Sequence, residues 1–460
     1  MPAHDTLTPL EHLLLVDRRP GYPMAFYIHC DVEGALSPER LAAALRSAAA
    51  RHALPRSRVG GWWRPRWLKP DRDPEFVAIA HGSAGTGPDP WSPATMHRSS
   101  GMRLIALEGR PDSWRVVLQV QHAVCDGLAA IEFLGDVWAH YHGSQPAPFR
   151  SSEHRLRDRA DVETPVGAGA ARTGTESISA EAPRSVAAEA GRFATFLPAV
   201  LARGPAVGHH APAGPGPTAW PGPPAPYITL SFDAAQTAAF KRRAAAAGAS
   251  LNDIVVGAVM RVAHAWNHAA GLAPRSVRIT MPVSLKPAGT RGPARNDMSY
   301  AFLDRSADEC RHPAPLVRSL AAASRWIQET RAAELFLTSL SSIDRVPGLV
   351  RLLTRLPLPL ATAVVSYVGN AGPRMRANLP RDGGCDLPGG LRITAVAGVP
   401  PVRPGTRLAV GLVLYDGRLQ LSTLCDTRAL GPAAAPLLAE LIRAEVLAVA
   451  DALPAAPNAG

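Results

Sequence analysis

"VVLQVQHAVCDGL", residues 116–128, begins as a strand, passes through a polar corner and leaves as a helix. The β-branched run 114–120 carries the strand, and Leu128, Ile131, Leu134 and Trp138 recur at helical spacing beyond the corner. Strand, corner and helix in that order form a unit of α/β architecture, which places its chemistry at the carboxyl ends of strands. By alternation, Trp114, Val116, Leu118, Val120 and His122 share one face, so the imidazole stands where the strand leaves an apolar layer. A neutral imidazole at such a point can accept a proton from a nucleophile. It can equally be a packing detail of a strand end, and the bare string H-x-x-x-D-G does not decide between the two. Asp126 reads as the cap of the following helix or as half of an internal ion pair, and Gly127 permits a tight backbone. A decoy, "HRLRD" at 154–158, has the same His–Asp spacing but lacks the glycine and follows no strand; it reads as solvated surface.

The chain has 460 residues, which makes two domains the natural expectation. A hydrophobic share of 47% with 19% charged residues is globular rather than disordered. The formal charge of +11 is no nucleic-acid footprint, because all but three of the 49 basic residues are arginines scattered along the chain. Cys30, Cys125, Cys310, Cys385 and Cys425 are odd in number, far apart and form no CxxC pair, which argues against a disulfide framework and a zinc site; no metal is expected. The first residues lack the pattern of a secretory signal, and the expected location is the cytoplasm. The most apolar stretch, "LVRLLTRLPLPLATAVV" at 349–365, is interrupted by Arg351, Arg355, Pro357 and Pro359. It suits contact with a membrane or lipid-body surface better than a membrane span.

Residues 1–150 alternate helix and strand signals, with Ser37-Pro38 opening one helix. Residues 151–226 turn rich in Ala, Gly, Pro, Ser and Arg and read as a linker, with one helix expected near 190–201. The His209-His210 pair inside it has no neighbouring acid and reads as exposed filler. Order resumes at 227 with a strand, a helix over 234–247 and a capping box at Ser250 and Asp253. Strands are expected at 277–285 and 299–304, and a long amphipathic helix over about 314–333. Asp416-Gly417 between two strands is a hairpin signal, and a helix over 434–450 closes the chain.

The corner "QHAVCDG" (121–127) resembles the HHxxxDG signature of the CoA-dependent acyltransferase superfamily, which includes chloramphenicol acetyltransferase, peptide-synthetase condensation domains and the bacterial wax ester synthase/diacylglycerol acyltransferases. The last group is the most similar through "LTPLEHLLLVDRRPGYPM" (7–24), "SLNDIVVGAV" (250–259), "MPVSLKP" (281–287), "ARNDMSYAFL" (294–303) and "GVPPVRPGTRLAVGLVLYDGRLQLS" (398–422). The series runs in order over about 380 of the 460 residues. Two features depart from the pattern. Gln121 stands where the signature has its first His, and "VVSYVGNAGPR" (364–374) is closer to condensation-type enzymes.

The resemblance implies an α/β fold of two chloramphenicol-acetyltransferase-like lobes, each a mixed sheet flanked by helices, with a tunnel between them. One lobe would span 1–150 and the other 227–460, joined by the linker 151–226. It implies an O-acyltransferase that moves an acyl group, expected to be long, from acyl-CoA to an alcohol such as a fatty alcohol or diacylglycerol. His122 would be the general base, with Asp126, Gly127 and Gln121 shaping the site and no cofactor beyond the acyl-CoA co-substrate. Asn252, Asn296 and Asn370 are candidates for the tunnel wall or the oxyanion, and Arg278 and Arg295 for the partner of Asp126. Cys125, at an unspecified position of the signature, reads as small apolar filler. Two alternatives stand beside this reading: a condensation-type enzyme that draws its acyl group from a carrier protein, and an acyl-binding homologue whose catalysis is impaired by Gln121.

Overall fold

Short polar side chains start several helices of this chain, as its sequence predicts. In the computed structural model, which describes residues 6–455 apart from 62–64, 82–88, 90, 93–98, 150–197, 204–224, 288–289, 357, 376–378, 380–385 and 388, Ser37, Asp126 and Ser250 each accept a hydrogen bond from a first-turn amide. The Ser250–Asp253 capping box is formed, and Asp416 and Gly417 take the left-handed backbone that a two-residue hairpin requires.

The first half runs α1 (Pro9–Val16), β1 (Ala25–Glu33), α2 (Pro38–Ala49), the short pair β2 (Val59–Gly60) and β3 (Arg66–Trp67), β4 (Glu75–Ile79), β5 (Met102–Arg110), β6 (Ser113–Gln121) and α3 (Gly127–Tyr141). The second opens with β7 (Ile228–Phe232), α4 (Ala234–Ala246), α5 (Leu251–Ala269), β8 (Val277–Ser284) and β9 (Met298–Arg305). Four helices follow, α6 (Ala307–Cys310), α7 (Pro313–Glu329), α8 (Ala333–Asp344) and α9 (Leu349–Arg355). The chain ends with β10 (Ala363–Asn370), α10 (Ala371–Met375), β11 (Asp386–Leu387), β12 (Leu391–Val399), β13 (Leu408–Tyr415), β14 (Arg418–Cys425), α11 (Thr427–Leu430) and α12 (Ala434–Asp451).

These strands make two mixed six-stranded sheets, β11-β12-β1-β6-β5-β4 and β7-β14-β13-β10-β8-β9. In the first only β4 and β5 are parallel; in the second β13, β10 and β8 run parallel to one another and the remaining pairs are antiparallel. Trp114, Val116, Leu118 and Val120 enter the first lobe's core together, as their alternation predicts, while Val117 faces the opposite side of the sheet. The second core gathers α5, α7 and α12 over their sheet through Val256, Leu320, Ile442 and Val446.

Three expectations need correction. β11 and β12 come from the second half but pair with β1 in the first sheet, so the division at 227 is not the division between the sheets. The long helix predicted to 333 ends at Glu329; Arg331 takes a positive φ, and a separate helix, α8, begins at Ala333. Residues 198–201, expected at the end of a linker helix, carry no helix; Val200 and, just beyond, Ala202 are hydrogen-bonded to Asn267 and Trp266 of α5. Most of 151–226, with the His209-His210 pair and the "HRLRD" stretch, lies outside the described residues.

The sheets meet where β12 passes β13. A Cβ on Gly411 would overlap the carbonyl oxygen of Gly398, so the two main chains touch with no side chain between them. Only glycine permits that approach.

Candidate functional site

His122 sits at this seam, one residue past the end of β6. Its amide donates to the carbonyl of Met24 at 2.8 Å, and its ring packs edge-on against Phe26 with centroids 5.0 Å apart. Beside it is a pocket of about 40 Å³ with walls from both lobes: Phe26, Ile28 and Gly127 on one side, Ser366, Val368 and Leu412 on the other. That space holds about three waters and no acyl chain. A Cβ on Gly127 would already meet Val368 at 3.1 Å. Among the described residues, the space beside His122 is this narrow slot.

Burial lowers the His122 pKa from its ordinary 6.5 to about 4, while the carbonyls of His122 and Cys125 and the Asn296 side chain act against that shift. The ring is therefore neutral at physiological pH. Its Nδ1 is sealed from solvent without a hydrogen-bond partner.

The corner is stitched to the segment before β9. Asn296 donates its amide to the carbonyls of His122 and Ala123, at 3.0 and 3.1 Å. Asp126 accepts from the Asp297 amide at 2.8 Å and from Ala129 at 2.9 Å, and its own amide donates to the Arg295 carbonyl. Burial raises the Asp126 pKa, and the Ala129 and Asp297 amides counter it. The expected arginine partner is thus wrong. Arg278 pairs with Asp304 and Arg295 with Asp297, and backbone amides take their place at Asp126. Backbone donors hold a carboxylate as well as a guanidinium does, but they leave no residue letter to find.

The other candidates divide. Gln121 folds back, its side-chain oxygen accepting from Ala123 at 2.7 Å, so it braces the turn. Asn252 donates to the sulfur of Met281 and lies outside the pocket wall. Asn370 is exposed and caps α10 through Gly372, also away from the wall. Cys125 is fully buried with its thiol pKa raised well above the ordinary value, which suits packing and not nucleophilic attack.

Sequence reasoning missed the charges behind the corner. Glu132 and Asp136 lie one turn apart on α3. Glu132 pairs with Lys286 at 2.6 Å and Arg374 at 3.0 Å, and Asp136 with Arg51, His52 and Arg291. His52 also accepts from the Ala294 amide. These contacts clamp Lys286, Arg291 and Ala294, in the segment that carries Asn296, onto the first lobe. Their i, i+4 spacing on an otherwise apolar helix was the available signal.

No family model matches the chain. The uncharacterized protein Rv2305 of Mycobacterium tuberculosis strain H37Rv is 26% identical over 470 residues, covering 96% of this chain and 98% of that protein. Among solved structures, the first condensation domain of the CDA synthetase matches with a TM-score of 0.61 at 15% identity, covering 100% of this chain and 99% of that one. Polyketide synthase associated protein 5 from Mycobacterium tuberculosis matches at 0.59 and 15% identity, covering 97% and 98%. A variant of the starter condensation domain of rhizomide synthetase, solved with C8-CoA, matches at 0.59 and 16% identity, covering 99% and 97%. The chain therefore has the two-lobed condensation-domain fold.

Proposed function

We propose that the protein is an acyltransferase in which His122 acts as general base, moving an acyl group from a thioester to a hydroxyl. The observation that carries this reading is a neutral, buried imidazole at the seam of both lobes, beside a slot with walls from each. The acceptor hydroxyl gives its proton to Nε2 as its oxygen attacks the thioester carbonyl. Nδ1, sealed from solvent, keeps its proton. Collapse of the tetrahedral intermediate breaks the C–S bond, leaves the C–O ester bond, and returns the proton from Nε2 to the departing thiolate. Acid–base assistance of this kind contributes about 10²–10⁴-fold. The Gly127 amide, at the start of α3 and in the slot wall, is our candidate oxyanion donor.

For the donor we favour acyl-CoA with a long chain, and for the acceptor a fatty alcohol or diacylglycerol. A second reading, a carrier-protein thioester as donor, is favoured by the condensation domains among the structural matches. The experiment supplies one acyl group either as acyl-CoA or on a phosphopantetheinyl carrier protein, with an alcohol acceptor, and follows thiol release and ester mass. Turnover with acyl-CoA supports the first donor, and turnover with the carrier alone supports the second. Binding of both without release by either would leave an acyl-binding homologue. Gln121→His on the same panel tests whether the glutamine restrains the rate.

A further inference from the structure

We propose that the leucine-rich surface formed by α9 and the loop that follows it docks the protein on an anionic lipid bilayer. Among the described residues, all but one of the exposed large apolar side chains fall between 335 and 360. Five are leucines within one short stretch, Leu352, Leu353, Leu356, Leu358 and Leu360, with Leu352 60% exposed. The core does not account for them. α9 faces inward through Val350 and Thr354, both buried, and rests against α1, leaving Leu352 and Leu353 turned outward. A concentration of exposed apolar side chains of this kind marks an interaction surface.

The charges select the partner. Residues 345–360 contain Arg345, Arg351 and Arg355 and no acidic residue, and Arg345 and Arg355 are exposed. The acid just before them, Asp344, is tied to His12 of α1 at 2.5 Å. Leucines interspersed with arginines, and with no acid in the same stretch, match the acyl boundary and the anionic headgroups of a bilayer. Among the described residues no single helix is long and apolar enough to cross a membrane. The loop leads directly into β10, whose Ser366 and Val368 line the slot at His122. A bilayer on this surface therefore lies within about 20 Å, six residues of strand, of the slot. The docking itself does not depend on the acyl-transfer reading.

The full-length protein is floated with vesicles of phosphatidylcholine alone or mixed with phosphatidylglycerol, at low and high salt. The wild type should float with the mixed vesicles, less with neutral ones, and less at high salt. The triple variant Leu352→Ser, Leu353→Ser, Leu356→Ser should lose roughly tenfold or more in partitioning, with an unchanged melting temperature because these side chains are exposed. Arg345→Gln and Arg355→Gln should each cost about fivefold on the anionic vesicles and little on neutral ones. Equal flotation of the triple variant and the wild type would overturn the proposal. So would failure of the wild type to float, including the case where sedimentation velocity shows the same leucines holding two copies together. Turnover with soluble substrates is measured separately, so failure of the docking and failure of the acyl-transfer reading are distinguishable.

Discussion

Asn296 donates its side-chain amide to the main-chain carbonyl of His122 at 3.0 Å, across a sequence separation of 174 residues. The candidate base is therefore held in place by the second half of the chain. That amide braces the turn that carries the ring, and among the described residues the ring's Nδ1 has no hydrogen-bond partner.

His122→Ala should reduce thiol release about 10²–10⁴-fold while the far-UV spectrum and the unfolding midpoint stay close to wild type. Wild-type turnover in this variant would remove the imidazole from the chemistry.

Asn296→Ala removes the shared donor of two carbonyls. We expect a stability loss of about 1–3 kcal/mol and a drop in kcat larger than any change in KM, because the turn that aims the ring slackens. Denaturant titration and steady-state kinetics on the same preparation separate the two effects. A purely structural role would lower the melting temperature and leave kcat intact.

The neutral state of His122 sets the pH response. With its pKa lowered to about 4, the base is already deprotonated throughout the neutral range, so kcat/KM should show no inflection near 6.5. Stability follows with a definite sign. The unfolded chain takes up the proton near 6.5 and the folded one only near 4, so stability is full above 6.5 and is lost as the pH falls between these values. His29, lowered to about 3 by burial, and His142, lowered to about 4, push the same way. A tenfold loss of proton affinity on folding is worth about 1.4 kcal/mol, so acid unfolding should begin well above the carboxylate range. Chemical denaturation across pH 7 to 4 measures it.

Asp136→Ala should be among the most damaging single substitutions. The carboxylate is fully buried among Arg51, His52 and Arg291, and removing it strands buried positive charge at a cost of about 3–5 kcal/mol. Asp136→Asn, which keeps the shape and part of the hydrogen bonding, should lose less. A smaller loss for the alanine variant would mean the clamp is dispensable.

Val368→Ala should widen the slot beside Gly127 and raise the rate with bulkier acceptors relative to small ones. Comparing kcat/KM over a series of alcohols of increasing size reads this directly; an unchanged ratio would place the acceptor elsewhere.

Much of this molecule is legible in its sequence because it is local. The His-Asp-Gly corner, the Ser250–Asp253 box and the Asp416-Gly417 hairpin each depend on residues a few positions apart. What stayed hidden is non-local or made by the backbone. The crossing of β11 and β12 into the first sheet changes no local pattern, since a strand looks the same whichever sheet it joins. The holding of Asp126 by the Asp297 amide is invisible because every residue but proline carries that donor. Asn296 was legible as a candidate but not in its role, which needs the geometry to show that its amide braces the imidazole's own turn.

The passage of β12 into the first sheet has a consequence for inheritance and engineering. Neither half is an exchangeable cassette: residues 1–150 alone lack β11 and β12, and 227–460 alone carries a two-stranded pair without the β1 it pairs with. A chain severed in the intervening stretch would remain one particle, its pieces laced together by main-chain hydrogen bonds. Grafting one half onto a distant homologue would have to rematch β1 with β12 and carry both Gly398 and Gly411 along.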